Sequence, residues 1–167
     1  MSKSRRYSII GLCALLLIVL ITWFFSRTPA VAVPPAIAHG YSKALKQAHN
    51  GEPGAARVLY QQLGRPDLLP ERRAALHAEL PNYPSPQALK LADKDLTNES
   101  ALVREAAIHS IVGLVPTGQR TLLLGPVLDD PEQPVRFAAA NALLGLSPDT
   151  LGLYFGPLQQ VLDEFVT

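Results

Sequence analysis

A chain of 167 residues with 15 Lys and Arg against 14 Asp and Glu is long enough for one compact domain and an appendage. Four of the cations (Lys3, Arg5, Arg6, Arg27) flank an apolar stretch. Residues 28–167 therefore hold 11 bases against 14 acids, a net of about −3, which excludes the concentrated basic face of a nucleic-acid surface. The single cysteine, Cys13, excludes an intramolecular disulfide, a Cys-based zinc site and a CxxCH haem attachment.

Residues 1–6 are short and basic, the pattern of a cytoplasmic N-terminus. From Tyr7 to Phe25 the chain runs 19 residues without a charge and ends on Trp23, Phe24 and Phe25. As a helix this stretch spans about 28 Å, close to the hydrocarbon thickness of a bilayer, with an aromatic belt at its end. More positive charge precedes the span than follows it. It is expected to be a single-pass anchor with the C-terminal domain exported. Ala30-Val31-Ala32 resembles a signal-peptidase site, and cleavage there is the alternative, giving a secreted soluble protein. Residues 26–38 contain Pro29, Pro34 and Pro35 and are expected to be an extended linker.

The domain is expected over residues 39–167. His39–Asn50 reads as a helix capped by Ser42 and stopped at Asn50-Gly51. Helices follow over Gly54–Leu63 and from Pro70 to Leu80. Ser85 is placed to cap Pro86–Leu96, which runs Ala88, Leu91, Ala92 and Asp95 down one face. Ala101–Leu114 turns Val103, Ala106, Ala107, Ser110, Ile111 and Leu114 inward. Next come Gln119–Leu128 and Val135–Leu146, the latter with Phe137, Ala138, Ala140, Ala142, Leu143 and Leu144 available for burial. A closing helix over Thr150–Val166 carries an apolar stripe of Leu151, Tyr154, Leu158, Val161, Leu162 and Phe165.

These hairpins repeat. Val103–Ala107 (Val-Arg-Glu-Ala-Ala) recurs 32 residues on as Val135–Ala139 (Val-Arg-Phe-Ala-Ala), and a worn copy at Arg72-Arg73-Ala74-Ala75-Leu76 aligns Arg72 with Arg104. A fixed period of this kind marks stacked helical repeats. Helix, Asp-Pro turn and Val-Arg-x-Ala-Ala helix together resemble the HEAT repeat family, in its short bacterial, phycobilisome-lyase-like form. The resemblance implies an all-α fold: a short right-handed α-solenoid of about three hairpins and a closing helix, behind the transmembrane helix. It also implies a ladder in which a turn acid binds the arginine six residues later. Asp130 with Arg136 fits that spacing, Arg104 meets Asn98 in the acid's place, and Arg72 meets Pro66. Tyr41–Ala56, Tyr83–Leu89 and Leu123–Pro131 are also similar to the HEAT segment of exported bacterial multihaem-cytochrome/tetratricopeptide proteins. Without CxxCH, only the helical module and the export are implied.

No Ser–His–Asp set, Gly-rich phosphate loop or HExxH helix is legible, and no catalytic residue, metal ligand or cofactor is expected. His77 and His109 fall at one repeat position and read as a polar ladder. Arg72, Arg104 and Arg136 are chiefly structural. A short solenoid offers a surface, on which Tyr41, His77, Tyr83, His109, Tyr154 and Phe155 are the candidate contacts. The expected function is a bacterial inner-membrane, periplasmic scaffold that binds another envelope protein. The alternatives are an accessory role in haem or tetrapyrrole handling, and self-association through the last helix into a homodimer.

Overall fold

The computed structural model describes residues 35–166, with side-chain surroundings from Gly40 onward. The expected cytoplasmic terminus, the span 7–25 and the linker up to residue 34 lie outside the described residues. Among the described residues every regular element is helical, and no helix is long and apolar enough to cross a membrane. The compact unit is Pro35–Thr167.

Helix α1 (Pro35–His49) begins ahead of the expected start at His39, so residues 35–38 are helix and not linker. Proline suits a first helical position, where its missing N–H costs nothing and its φ is already helical. Ser42 therefore lies inside α1, exposed, and caps nothing. The helix stops where expected, with Gly51 at φ +65°, a left-handed value that glycine adopts freely. Helices α2 (Ala55–Leu63) and α3 (Pro70–Glu79) follow, and α3 tightens into a 3₁₀ turn at Leu80–Asn82. Ser85 caps α4 (Pro86–Asp95): its Oγ accepts the Ala88 N–H at 3.0 Å. Helix α5 is Ala101–Leu114.

Two expected helices are broken. After a 3₁₀ turn at Thr117–Gln119, α6 covers only Arg120–Leu124 and continues as 3₁₀ over Gly125–Asp129. Pro126 has no N–H to donate and its ring crowds the preceding turn, so the α pattern cannot persist. Helix α7 (Gln133–Leu143) carries Pro134 in its first turn. The closing helix is divided into α8 (Pro148–Leu151), a 3₁₀ turn at Gly152–Tyr154 and α9 (Phe155–Glu164). Gly152 sits at φ +54°, outside the right-handed helical region.

Helix α1 packs on α3, α3 on α5, α5 on α7 and α7 on α9, forming one continuous row. Helices α2, α4 and α6 are the hairpin partners of α1, α5 and α7. The row explains the alanines. Ala107 and Ala139 are fully buried where α5 meets its neighbours, and a small side chain lets helix axes approach. Leu76, Leu80, Ile108, Ile111 and Leu143 fill the space between, each contributing about 1.5–3 kcal/mol on burial.

Burial sets the repeat register. Leu76, Ala107 and Ala139 are all 0 % exposed, as are Leu80, Ile111 and Leu143. The step from α3 to α5 is thus one residue shorter than the sequence alignment has it. Arg73, not Arg72, occupies the place of Arg104. Two residues expected in the core, Leu144 and Phe165, lie just beyond the ends of α7 and α9 and are exposed.

The broken segments close on each other through a glycine. Gly125 lies against the Tyr154 ring, and a Cβ added there would fall far inside van der Waals contact with Cδ2. Gly125→Ala is expected to cost about 1–3 kcal/mol through overpacking. A urea midpoint within error of the parent would show that Tyr154 moves aside freely.

Candidate functional site

The most concentrated polar chemistry among the described residues lies inside the row, between α3, α4 and α5. Arg73, His77, Asp95 and Ser110 are all buried, and His77 is 0 % exposed. The Asp95 carboxylate lies on the otherwise apolar face Ala88–Leu91–Ala92 of α4. Arg73 Nη1 donates to Asp95 Oδ2 at 2.9 Å and to the Leu63 carbonyl at 2.7 Å. Its Nη2 donates to the Arg65 carbonyl. His77 Nε2 meets Asp95 Oδ2 at 2.8 Å, and Nδ1 meets Ser110 Oγ at 2.9 Å.

Tertiary structure therefore assembles a Ser–His–Asp line that the sequence reading does not find. Its chemistry differs from that of a nucleophile. Ser110 Oγ is within reach of the carbonyls of His77 and Ala106 at 2.8 and 3.2 Å, so its proton has backbone acceptors besides the imidazole. Both ring nitrogens are occupied, one by Ser110 and one by the Asp95 carboxylate. The line satisfies buried polar groups and ties three helices together.

Two further arginines repeat the Arg73 pattern. Arg104 Nε and Nη2 form a fork on Asp130, at 2.7 and 2.8 Å, and Nη1 donates to the carbonyls of Asn98 and Glu99 at 2.9 and 3.1 Å. Arg136 Nη1 donates to the carbonyls of Asp130 and Pro131 at 2.8 and 3.2 Å, and Nη2 to Glu164 at 2.7 Å. The ladder differs from the one the resemblance implies. Each arginine binds its own turn through backbone carbonyls, while the carboxylate comes from the next hairpin or from α9. At Arg104 the fork matches the guanidinium to the Asp130 carboxylate plane, and each of the three pairs ties successive hairpins. Asn98 keeps a turn role: its Oδ1 accepts the Ser100 N–H at 3.0 Å, as Asp130 Oδ1 accepts that of Glu132 at 2.9 Å.

The other candidates scatter. Arg72 lies 5.1 Å over the Tyr41 ring, a cation–π contact and not a rung. Tyr83 is half-buried, its hydroxyl donating to the Ala48 carbonyl at 2.6 Å. Tyr154 covers Gly125. His109 is exposed beside Glu105, and His77 is buried, so the two do not form the expected surface ladder. The one-residue step explains the split: His77 takes the core position of Ile108, and His109 shares the exposed position of Asn141. Phe155 is exposed. The sequence does not single out Arg73, Asp95, Ser110 and Glu164 as a site. The available signal was Asp95 itself, a carboxylate on an apolar helix face. An open cleft of about 720 Å³ borders Arg73 and Asp95, with Lys94 and Glu99 also in its lining.

Comparison with protein families, with curated proteins and with solved structures gives no match.

Burial pushes the carboxyls of Asp95 and Asp130 up, but the hydrogen bonds and charge of their partners outweigh it and hold both below the usual range. For Asp95 those partners are His77 and Arg73, and for Asp130 the chief one is Arg104. A carboxyl with a depressed folded-state pKa adds stability above its unfolded value of about 4, and that stability is lost as pH falls through the folded value. The urea midpoint is expected to drop between pH 7 and pH 3, and to drop less in Asp130→Asn. Equal slopes in parent and variant would remove Asp130 from the acid response.

Proposed function

We propose that the chain is a membrane-tethered, HEAT-like scaffold whose right-handed α-solenoid of about three hairpins binds another protein of the bacterial envelope. One observation carries the reading: a continuous row of helices whose successive hairpins are tied by repeated arginine–carboxylate rungs. A repeat built this way makes an extended surface more readily than a pocket. The buried polar cluster supports the same reading, because its hydroxyl, imidazole and carboxylate are spent on each other. His77 also has both nitrogens occupied, which leaves it no lone pair for a haem iron. The apolar segment before the domain supplies the tether, and its charge asymmetry supplies the orientation.

The test is recovery of the tagged full-length protein from its native membranes in mild detergent, read by mass spectrometry. A stoichiometric partner that disappears when residues 39–167 are deleted is the expected result. No partner above background, with the protein folded, overturns the scaffold. A reporter fused after Thr167 and active only in the cytoplasm overturns the export.

A further inference from the structure

The hairpin partners do not pack as the row does. Helices α5 and α7 lie against each other, while α4 and α6 stand apart and leave an open groove of about 350 Å³ between them. The break in α6 shapes one side of it. Pro126 takes the chain into the 3₁₀ segment Gly125–Asp129, and the seating of Gly125 on Tyr154 holds that segment in place. Leu96 at the end of α4, with Leu123, Pro126 and Val127 opposite, supplies the apolar lining. Leu122 also borders the groove and is 82 % exposed. An exposed leucine beside an apolar lining leaves surface in water that a partner could cover.

Two carboxylates belong to the groove itself. Asp93 lines it from α4 and Asp129 from the opposite side, both exposed and both without an ion pair among the described residues. The third acid of the lining, Asp130, is held by Arg104. No lysine or arginine lines the groove. Lys90, one turn before Asp93, makes no ion pair with it, and Lys94 lines the cleft beside Arg73 instead. Arg120 donates to the carbonyls of Val112 and Ala142. We infer that this groove takes a basic segment of the partner protein, in which an apolar side chain set against Leu122, Leu123 and Val127 is flanked by lysine or arginine facing Asp93 and Asp129. The inference rests on the scaffold reading and adds the face and the chemistry of the partner. The chain's own residues fit less well. Residues 26–34 supply one cation, Arg27, and no exposed large apolar side chain of the described surface adjoins an exposed lysine or arginine in sequence. An anionic bilayer surface would be repelled by both carboxylates.

The experiment uses the full chain in phosphatidylcholine nanodiscs, with empty discs as the blank. The probes are three labelled peptides of one length: one of leucines and lysines, one with its lysines replaced by glutamates, and one with its leucines replaced by serines. Anisotropy is expected to show the first binding at least about tenfold more tightly than either of the others. The double variant Asp93→Asn, Asp129→Asn is expected to weaken it about fivefold and to flatten its salt dependence. Leu122→Ser should weaken it by about the same factor with an unchanged thermal midpoint. Asp149→Asn with Asp163→Asn removes equal charge from exposed positions outside the groove and should leave binding as it was. Equal binding of the three peptides, or a loss that the Asp149 and Asp163 variant matches, overturns the inference. So does a concentration-dependent dimer in sedimentation that the Asp93 and Asp129 variant abolishes, because a second copy then fills the groove. The scaffold reading fails separately: a recovered partner whose binding ignores the Asp93 and Asp129 variant leaves the scaffold standing and removes this groove. Peptide binding with no recovered partner does the reverse.

Discussion

Asp95→Ala is expected to lower the unfolding free energy by about 3–5 kcal/mol, the cost of removing one partner from a buried ion pair. The Asp95 side chain is 3 % exposed and receives both Arg73 and His77. Without it a guanidinium and an imidazole face each other with no anion and little water. For a domain of this size the thermal midpoint should fall by about 10–20 °C. Asp95→Asn keeps the shape and one acceptor, so it should fall between parent and alanine. A loss below about 1 kcal/mol in Asp95→Ala would mean that Arg73 and His77 find other partners. His77→Leu in the same background separates the two. If the imidazole is the strained group, removing it should restore part of the loss.

Arg104→Ala should be the next most costly change, at about 3 kcal/mol. Its side chain is 10 % exposed, and it binds the Asp130 carboxylate together with two backbone carbonyls of the turn before α5. The asparagine and glutamate carbonyls at that turn lose their donor along with the carboxylate. Arg104→Lys retains the charge but not the fork, and should recover less than half. A double-mutant cycle with Asp130→Asn isolates the rung, with a coupling of about 1–3 kcal/mol expected. A coupling near zero would show that Arg104 stabilises its own turn alone. The rung would then not be what joins the hairpins.

Much of this arrangement is legible in the sequence. Helical periodicity, Pro and Gly punctuation and the Ser85 cap locate most helices, because those signals act within a few residues of themselves. Helix α5 spans the expected residues, and α4 ends within a residue of its expected limit. The errors are also local in origin. Pro35 reads as linker among prolines, yet it opens α1. Pro126 and Gly152 sit inside apolar patterns strong enough to suggest unbroken helices, and backbone sterics prevail over the pattern.

The sequence by itself determined the helical class, the repeated hairpin, the acidic balance of the domain and the apolar segment that precedes it. These follow from composition and short-range spacing, which are properties of the chain alone. Only the tertiary structure decided which arginine forms a rung and with which acid. The partners Arg73 and Asp95, Arg104 and Asp130, and Arg136 and Glu164 come from different hairpins. Their pairing depends on how helices stack, and a single residue of register moved His77 from the surface into the core. The exposure of Leu144 and Phe165 was likewise invisible in the pattern. An amphipathic stripe looks the same whether a neighbouring helix covers it or leaves it for a partner.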